Sequence, residues 1–263
     1  MEAARMSRKG LHTPWDFTVT ILLWVYYVLG WLCFYSFFYL KAYLLAADRE
    51  RAFQALNQRF HSIFFVFLTR LCPQVTWRID PRATLIRGAI IVANHSSFLD
   101  PIWLVSLFDR QKTIVKRAYF SVPIFGWLLK TSGYVPSFAQ GLFTVDMADQ
   151  LKGLRGYLAG GGNLFIFPEG TRSRDGRIGS FDPGAFKIAR LCRAPLEVVA
   201  IARTERLFPS DRFLFNSSET IEISLTSAGR LSPDYDNPDF SLAGLMDEVR
   251  KRLEAGLGLK TMG

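Results

Sequence analysis

The rhythm of apolar and polar positions changes twice along the chain. From Phe17 to Leu40 no charged residue interrupts an apolar stretch. As a helix that stretch is about 36 Å long, enough to cross a hydrocarbon layer of about 30 Å. Trp15, Trp24, Tyr26, Trp31, Tyr35 and Tyr39 supply aromatics of the kind that gather at membrane interfaces. The run is too long for the apolar core of a signal peptide, and no A-x-A site closes it, which leaves a membrane helix or a buried core helix. A second rhythm covers Asp48 to Leu71. There Phe53, Leu56, Phe60, Phe64, Phe67 and Leu71 recur at three- and four-residue steps, with Arg51, Gln54, Gln58 and Arg59 between them. This spacing predicts an amphipathic helix, either packed on a core or lying in a membrane interface. The two elements predict a membrane-associated helical hairpin over residues 1–72. Arg5, Arg8 and Lys9 before the apolar run balance Lys41, Arg49 and Arg51 after it, so the positive-inside bias does not orient it.

From residue 73 to 263 the pattern is that of a second domain. Apolar runs of strand length, Ala89–Ala93, Thr113–Val115, Asn163–Phe167, Leu196–Ala202 and Thr220–Leu225, alternate with helical stretches at Pro101–Phe108, Pro123–Lys130 and Val145–Ala159. Such alternation predicts an α/β domain with a mixed, largely parallel sheet flanked by helices. Gly160 to Gly162 reads as a helix stop before a strand; a phosphate loop is the alternative, but no GxxxxGK[ST] follows.

Charge narrows the partners. Lys and Arg number 32 against 23 Asp and Glu, a net charge of +9. With no zinc finger, RNP-like strand or basic recognition helix, nucleic acid is a poor match, and the apolar run tilts the excess toward membrane lipid. The three cysteines, Cys33, Cys72 and Cys192, are scattered without CxxC spacing. That speaks against a disulfide framework or a metal site and for a reducing compartment, with the active site on the cytoplasmic side of a membrane.

Candidate chemistry lies in two strings. In the first, A-I-I-V-A-N-H-S-S-F-L-D-P at residues 89–101, an apolar strand runs into Asn94 and His95, then a turn, then Asp100 and Pro101. Loops at strand ends are where α/β sheets hold ligands. Of the three histidines, His12 lies in the basic tail and His61 in the amphipathic helix, so His95 alone is delivered to a sheet edge. Five helical positions would turn the two side chains about 140° apart. Pro101 instead predicts that the helix begins there, leaving 95–100 as a turn that can fold His95 and Asp100 together. Asp100 is then a helix N-cap, an acid/base partner of His95, or both. The second string, N-L-F-I-F-P-E-G-T-R-S at residues 163–173, again ends a strand in a polar loop. Gly170 allows close backbone approach, and Thr171 and Arg172 can donate to an anion, with Arg174 and Arg177 extending the positive field. An ordinary surface turn with a salt bridge from Glu169 would look the same.

The pair of strings resembles the glycerolipid acyltransferase family of the PlsC type. N-H-S-S-F-L-D resembles its N-H-x4-D motif and F-P-E-G-T-R-S its motif of the same sequence, in the same order. Lys116 to Gly126 is similar to its K-x-x-L-x3-P-x-x-G segment, with Phe120 near the usual Leu, and Ala194 to Ile201 resembles its fourth block. The likeness covers about residues 75–230. It implies transfer of a fatty acyl group from an acyl thioester, acyl-CoA or acyl carrier protein, to the hydroxyl of a lyso-lipid such as 1-acylglycerol-3-phosphate, in phospholipid biosynthesis. No cofactor and no metal are implied. His95 and Asp100 would be catalytic, with backbone amides at the start of the following helix holding the oxyanion. Asn94, Ser97, Lys116, Pro168, Glu169, Gly170, Thr171 and Arg172 would bind substrate. One departure stands out: the family's second block commonly ends in an arginine for the acceptor's phosphate, and Gly133 to Ala139 offers only Phe138 and no arginine. A different lyso-lipid acceptor, a thioesterase, or a lipid-binding protein without catalysis are the alternatives.

Overall fold

Seven strands form one sheet: β1 (Val75–Ile79), β2 (Ile90–Ala93), β3 (Gln111–Val115), β4 (Val135–Pro136), β5 (Asn163–Ile166), β6 (Leu196–Ala202) and β7 (Ile221–Leu231). They are seen in a computed structural model that describes residues 13–137, 145–173 and 177–259. The readings attached to Arg5, Arg8, Lys9, His12, Phe138, Ala139 and Arg174 lie outside those residues. The strand order is β1-β7-β6-β2-β5-β3-β4, parallel at every pair except β6 with β7. The sheet is thus mixed and largely parallel, as the alternation predicts. Strand β7 runs on to Leu231, six residues past the expected end at Leu225 (231 − 225), because β6 offers it a full antiparallel edge from Leu196↔Leu231 to Ala202↔Ser224.

The helices are α1 (Pro14–Val25), α2 (Ser36–Leu45), α3 (Arg49–Leu71), α4 (Pro81–Thr84), α5 (Leu99–Leu107), α6 (Phe125–Thr131), α7 (Val145–Ala159), α8 (Pro183–Cys192), α9 (Thr204–Leu207) and α10 (Leu242–Gly256). Strands β2, β5 and β6 are buried on both sides. Alternate residues serve two cores, as the period of two requires. Ile91, Ala93, Phe165, Val199 and Ile201 pack beneath α1, α3 and α5. Ile90, Val92, Leu164, Ile166 and Val198 face α7, α8 and α10. Helix α7 stops at Ala159, where Gly161 takes φ +86° and Gly160 and Gly162 donate back to Gly156 and Tyr157.

The N-terminal hairpin forms. Helices α1 and α2 are joined without a break by a π-helical segment, Tyr26–Tyr35. This makes one 32-residue helix, Pro14–Leu45, long and apolar enough to cross a membrane, with Phe17, Phe37, Leu44 and Leu45 exposed. Its N-terminus is tied down by buried Asp16, which accepts from Ser217 Oγ at 2.7 Å. The chain reverses at Asp48, which caps α3 by accepting from Arg51 N at 2.9 Å. Helix α3 then returns along its partner: the Tyr26 hydroxyl donates to Phe60 O at 2.7 Å and the Tyr39 hydroxyl to Asn57 Oδ1 at 2.6 Å.

Two element readings need correction. The buried stripe of α3 is Phe53, Gln54, Asn57, Phe60, Phe64 and Leu68, while Phe67 is exposed. Polar Gln54 and Asn57 belong on the inner face because Ser132 takes hydrogen bonds from both, at 3.0 and 2.9 Å. The helix expected from Pro101 begins at Leu99. Asp100 is helical despite the proline after it, and Pro101 sits in the first turn, where a missing N–H costs nothing.

Candidate active site

The C-terminal ends of the three adjacent strands β5, β2 and β6 converge on one point. Just past β2, buried Asn94 acts as an extra rung of the sheet: its Nδ2 donates to Ile201 O and its Oδ1 accepts from Ile201 N, both at 2.8 Å. The expected substrate contact at Asn94 is therefore replaced by a clamp, since both ends of its amide are occupied by β6. The next residue, His95, is locked through its backbone: its N–H donates to Glu169 Oε1 at 2.9 Å, and its carbonyl accepts from Ser173 N at 2.7 Å. Its ring stacks on Phe167, centroids 4.4 Å apart.

His95 Nδ1 lies 2.9 Å from Asp100 Oδ2. A carboxylate accepts, so Nδ1 carries the proton and Nε2 is left with a lone pair. Asp100 is fully buried. Its Oδ2 also accepts from the amides of Ser96 and Ser97, at 2.7 and 2.8 Å, and its Oδ1 from Thr204 Oγ1 at 2.5 Å. These bonds offset the cost of burying the charge. They turn Asp100 backwards, onto the turn that carries His95. Thr204, absent from the sequence reading, follows Arg203 in a left-handed conformation (φ +69°) at the end of β6. It also lies 3.2 Å from Ser96 Oγ, which donates to Glu205 Oε2 at 3.1 Å. Nothing in the local pattern around residue 204 marks it.

Three further groups expected to face substrate are engaged within the protein. Ser97 is buried and donates to Phe208 O at 2.7 Å, so it braces the turn instead of meeting substrate. Glu169 divides its carboxylate between His95 N and Gly179 N (2.8 Å), tying two loops together. Four amides at the start of α5 are already engaged: Ser96 N and Ser97 N bond Asp100, Leu99 N bonds Ser97 Oγ, and Asp100 N bonds Ser97 O, while Phe98 N has no acceptor among the described residues. Thr171 and Arg172 likewise have backbone amides with no acceptor among the described residues.

His95 opens on a cavity of about 1770 Å³. Lys116, Pro168, Gly170, Thr171 and Arg172 all line it, and the Arg172 and Lys116 side chains have no hydrogen-bonding partner among the described residues. Gly170, at φ +65°, takes a conformation that suits glycine. Much of the wall is apolar, with Val28, Leu32, Phe60, Ile102, Val105 and Leu129 among its residues. The cavity lining thus combines the His95 ring with cationic Lys116, Arg172 and Lys187, acidic Asp182, Glu205 and Asp211, and a large apolar share.

Residues 75–202 match the acyltransferase family. A chloroplastic 1-acyl-sn-glycerol-3-phosphate acyltransferase of Arabidopsis thaliana is 38% identical over 122 residues, which cover 46% of this chain and 34% of that one. One from Chlamydomonas reinhardtii is 41% identical over 134 residues, covering 48% and 37%. The chain therefore spans well under half the length of these relatives. The crystal structure of the 1-acyl-sn-glycerophosphate acyltransferase PlsC from Thermotoga maritima shares the fold, with a TM-score of 0.70 at 22% identity over 94% of this chain and 98% of that one.

Proposed function

We propose that this chain, whose residues 75–202 match the acyltransferase family, is an enzyme that moves a fatty acyl group from an acyl thioester to the hydroxyl of a lyso-lipid, 1-acylglycerol-3-phosphate in the first instance, for phospholipid biosynthesis. The observation that carries the reading is the 2.9 Å bond from His95 to buried Asp100, at the wall of a cavity whose lining holds both cationic and many apolar side chains. The donor is acyl-CoA or acyl carrier protein, and the acceptor arrives from the membrane, on its cytoplasmic side.

An alcohol is a poor nucleophile at neutral pH, so its proton must leave as it attacks. Nε2 of His95 takes that proton while the alcohol oxygen bonds to the thioester carbonyl carbon. Asp100 holds Nδ1–H and stabilises the imidazolium. The free amides of Thr171 and Arg172 meet the oxyanion. The intermediate then collapses: the carbon–sulfur bond breaks, and the leaving thiolate takes the proton back from Nε2. Ester and thiol are the products, and the histidine is restored. With no arginine at Ala139, Arg172 and Lys116 supply the positive charge for the acceptor's phosphate.

The test is an assay of purified protein with a panel of lyso-lipids and one labelled thioester. His95→Ala is expected to abolish transfer, base catalysis of this kind being worth ~10²–10⁴-fold. Turnover equal to wild type in that variant would end the mechanism, and free fatty acid formed without an acceptor would make the protein a thioesterase. Arg172→Ala is expected to raise the KM for a phosphate-bearing acceptor roughly 10-fold to 100-fold, as loss of a charge-assisted bond predicts, with kcat less affected. An unchanged KM would remove Arg172 from the head-group site.

A further inference from the structure

The mouth of the cavity is rimmed by a segment that water does not suit. Between residues 119 and 125 four large apolar side chains are exposed: Tyr119, Val122, Ile124 (57%) and Phe125. The segment is not a loose loop. A 3-10 turn over Arg117–Ser121 leads through Val122 and Pro123 into Ile124, and Phe125 opens α6. Val122 N bonds Tyr119 O at 3.2 Å, and Gly126 N bonds Val122 O at 2.7 Å. Gly126 is held against Phe120, whose carbonyl oxygen would stand 2.3 Å from any Cβ added there. The fold therefore fixes the direction in which these side chains point.

Ile124 is the strained member. It takes φ +63° and ψ −57°, and Phe125 N closes back on Pro123 O at 2.6 Å. This is a γ-turn of the positive-φ kind, rare for any residue and a true outlier for a β-branched one. Strain of this kind persists where surroundings over-determine it, and it concentrates at functional positions. Here the strained backbone holds an isoleucine outward, where in water the side chain gains nothing. Both features make sense when the side chain meets something apolar.

We propose that Tyr119–Phe125 is a bilayer contact separate from the helix Pro14–Leu45, inserted into an anionic lipid surface at the mouth of the cavity. Charge selects a membrane over another protein. From residue 116 to residue 135 the chain carries Lys116, Arg117 and Lys130 and no acidic residue, and all three cations are exposed. Apolar side chains flanked by exposed lysine and arginine are how peripheral segments settle among anionic headgroups. Position agrees: Tyr119, Pro123, Ile124 and Phe125 are exposed and line the cavity, and the same holds for Val28 and Leu32 of the long helix. A lipid could then pass from bilayer to cavity between these two apolar segments. The proposal rests on the acyltransferase reading for what passes through that mouth, but the depth of the segment can be measured without any turnover.

Val122 suits the experiment because it is exposed and does not line the cavity. In the full chain with Cys33→Ser, an environment-sensitive dye is placed at Val122→Cys and, as a control on the far side of the sheet, at Lys251→Cys. Each protein is reconstituted into vesicles of phosphatidylcholine and phosphatidylglycerol carrying brominated acyl chains. Quenching at position 122 is expected to exceed that at 251 by about threefold or more, as burial at the acyl boundary predicts. Equal quenching at the two positions overturns the proposal. So does a dye at 122 shielded from both bromolipid and an aqueous quencher in a dimer, which would make a second copy the occupant. As an independent arm, Val122→Asp is expected to lower turnover about 10-fold on lyso-lipid presented in anionic vesicles while sparing a soluble short-chain acceptor. Equal loss on both acceptors would also count against it. If wild type turns over neither acceptor, the acyltransferase reading fails while the depth measurement still stands.

Discussion

Asp100 meets four donors, and three of them lie within five residues of it in the chain: His95 Nδ1 and the amides of Ser96 and Ser97. That locality is why the pair was legible in the sequence, once Pro101 had shown that no long helix could separate them. The fourth donor, the Thr204 hydroxyl, arrives from a hundred residues away because β6 pairs beside β2, a fact that no window around residue 204 contains. Asn94 and Ser97 show the converse: both stand in the motif, but their polar atoms are spent on Ile201 and Phe208. Thr204→Val keeps the shape and removes the hydroxyl. Leaving a buried carboxylate oxygen unpaired costs about 1–3 kcal/mol. The expected result is a kcat roughly 10-fold lower with little change in KM, since Thr204 acts on the dyad and not on substrate, and near-complete rescue in Thr204→Ser. A Val variant as active as wild type, or a Ser variant as impaired as Val, would show that the hydroxyl does not support the dyad.

At the level of elements, the central strands were readable because each is an uninterrupted apolar run buried on both faces, and the loop after each carries the site. What escaped the reading has a physical pattern. Strand β4 is two residues long and exists by pairing with β3. The π-helical segment Tyr26–Tyr35 has no residue type that signals it. Helix α10 hides its buried stripe of Leu245, Val249 and Leu253 among charged residues. Loops are joined by contacts that local sequence shows even less, and Glu169 is the clearest example. One of its oxygens accepts from the loop after β2 and the other from Gly179, ahead of α8. A glutamine there has only one accepting oxygen, so its amide N–H would face a backbone N–H. Glu169→Gln is therefore expected to release one of the two loops and to lower kcat about 10-fold or more, with a loss of stability of about 1–3 kcal/mol. Transfer assays paired with urea melts would check this; wild-type turnover in the glutamine variant would show that the tie between the loops is dispensable for catalysis.

Across the whole molecule, the hairpin is fastened to the α/β domain by a core that both share, with Val19, Leu23, Phe64 and Leu68 packed among Ile91, Phe165 and Val199. The hairpin's two helices are fastened to each other partly through His61. Its Nδ1 lies 2.7 Å from Asn57 O, an acceptor, so that nitrogen carries the proton, and Nε2 accepts from the Tyr27 hydroxyl at 3.0 Å. Burial pushes the His61 pKa down from 6.5 to about 4, against a smaller opposing effect of the Asn57 carbonyl. A pKa lower in the folded chain means that the unfolded chain binds the extra proton first. His61 therefore contributes its stability in full above pH 6.5 and loses it as the pH falls toward about 4. A change of that size corresponds to about 3 kcal/mol, enough to lower the melting temperature visibly. Unfolding of the detergent-solubilised chain, followed from about pH 7 to about pH 4, should show stability falling across this window. His61→Gln, which can still donate and accept, should remove most of that slope while other titrating groups stay in place. If the glutamine variant keeps the wild-type slope, the acid sensitivity belongs to carboxylates elsewhere, and protonation of His61 is not what loosens the hairpin.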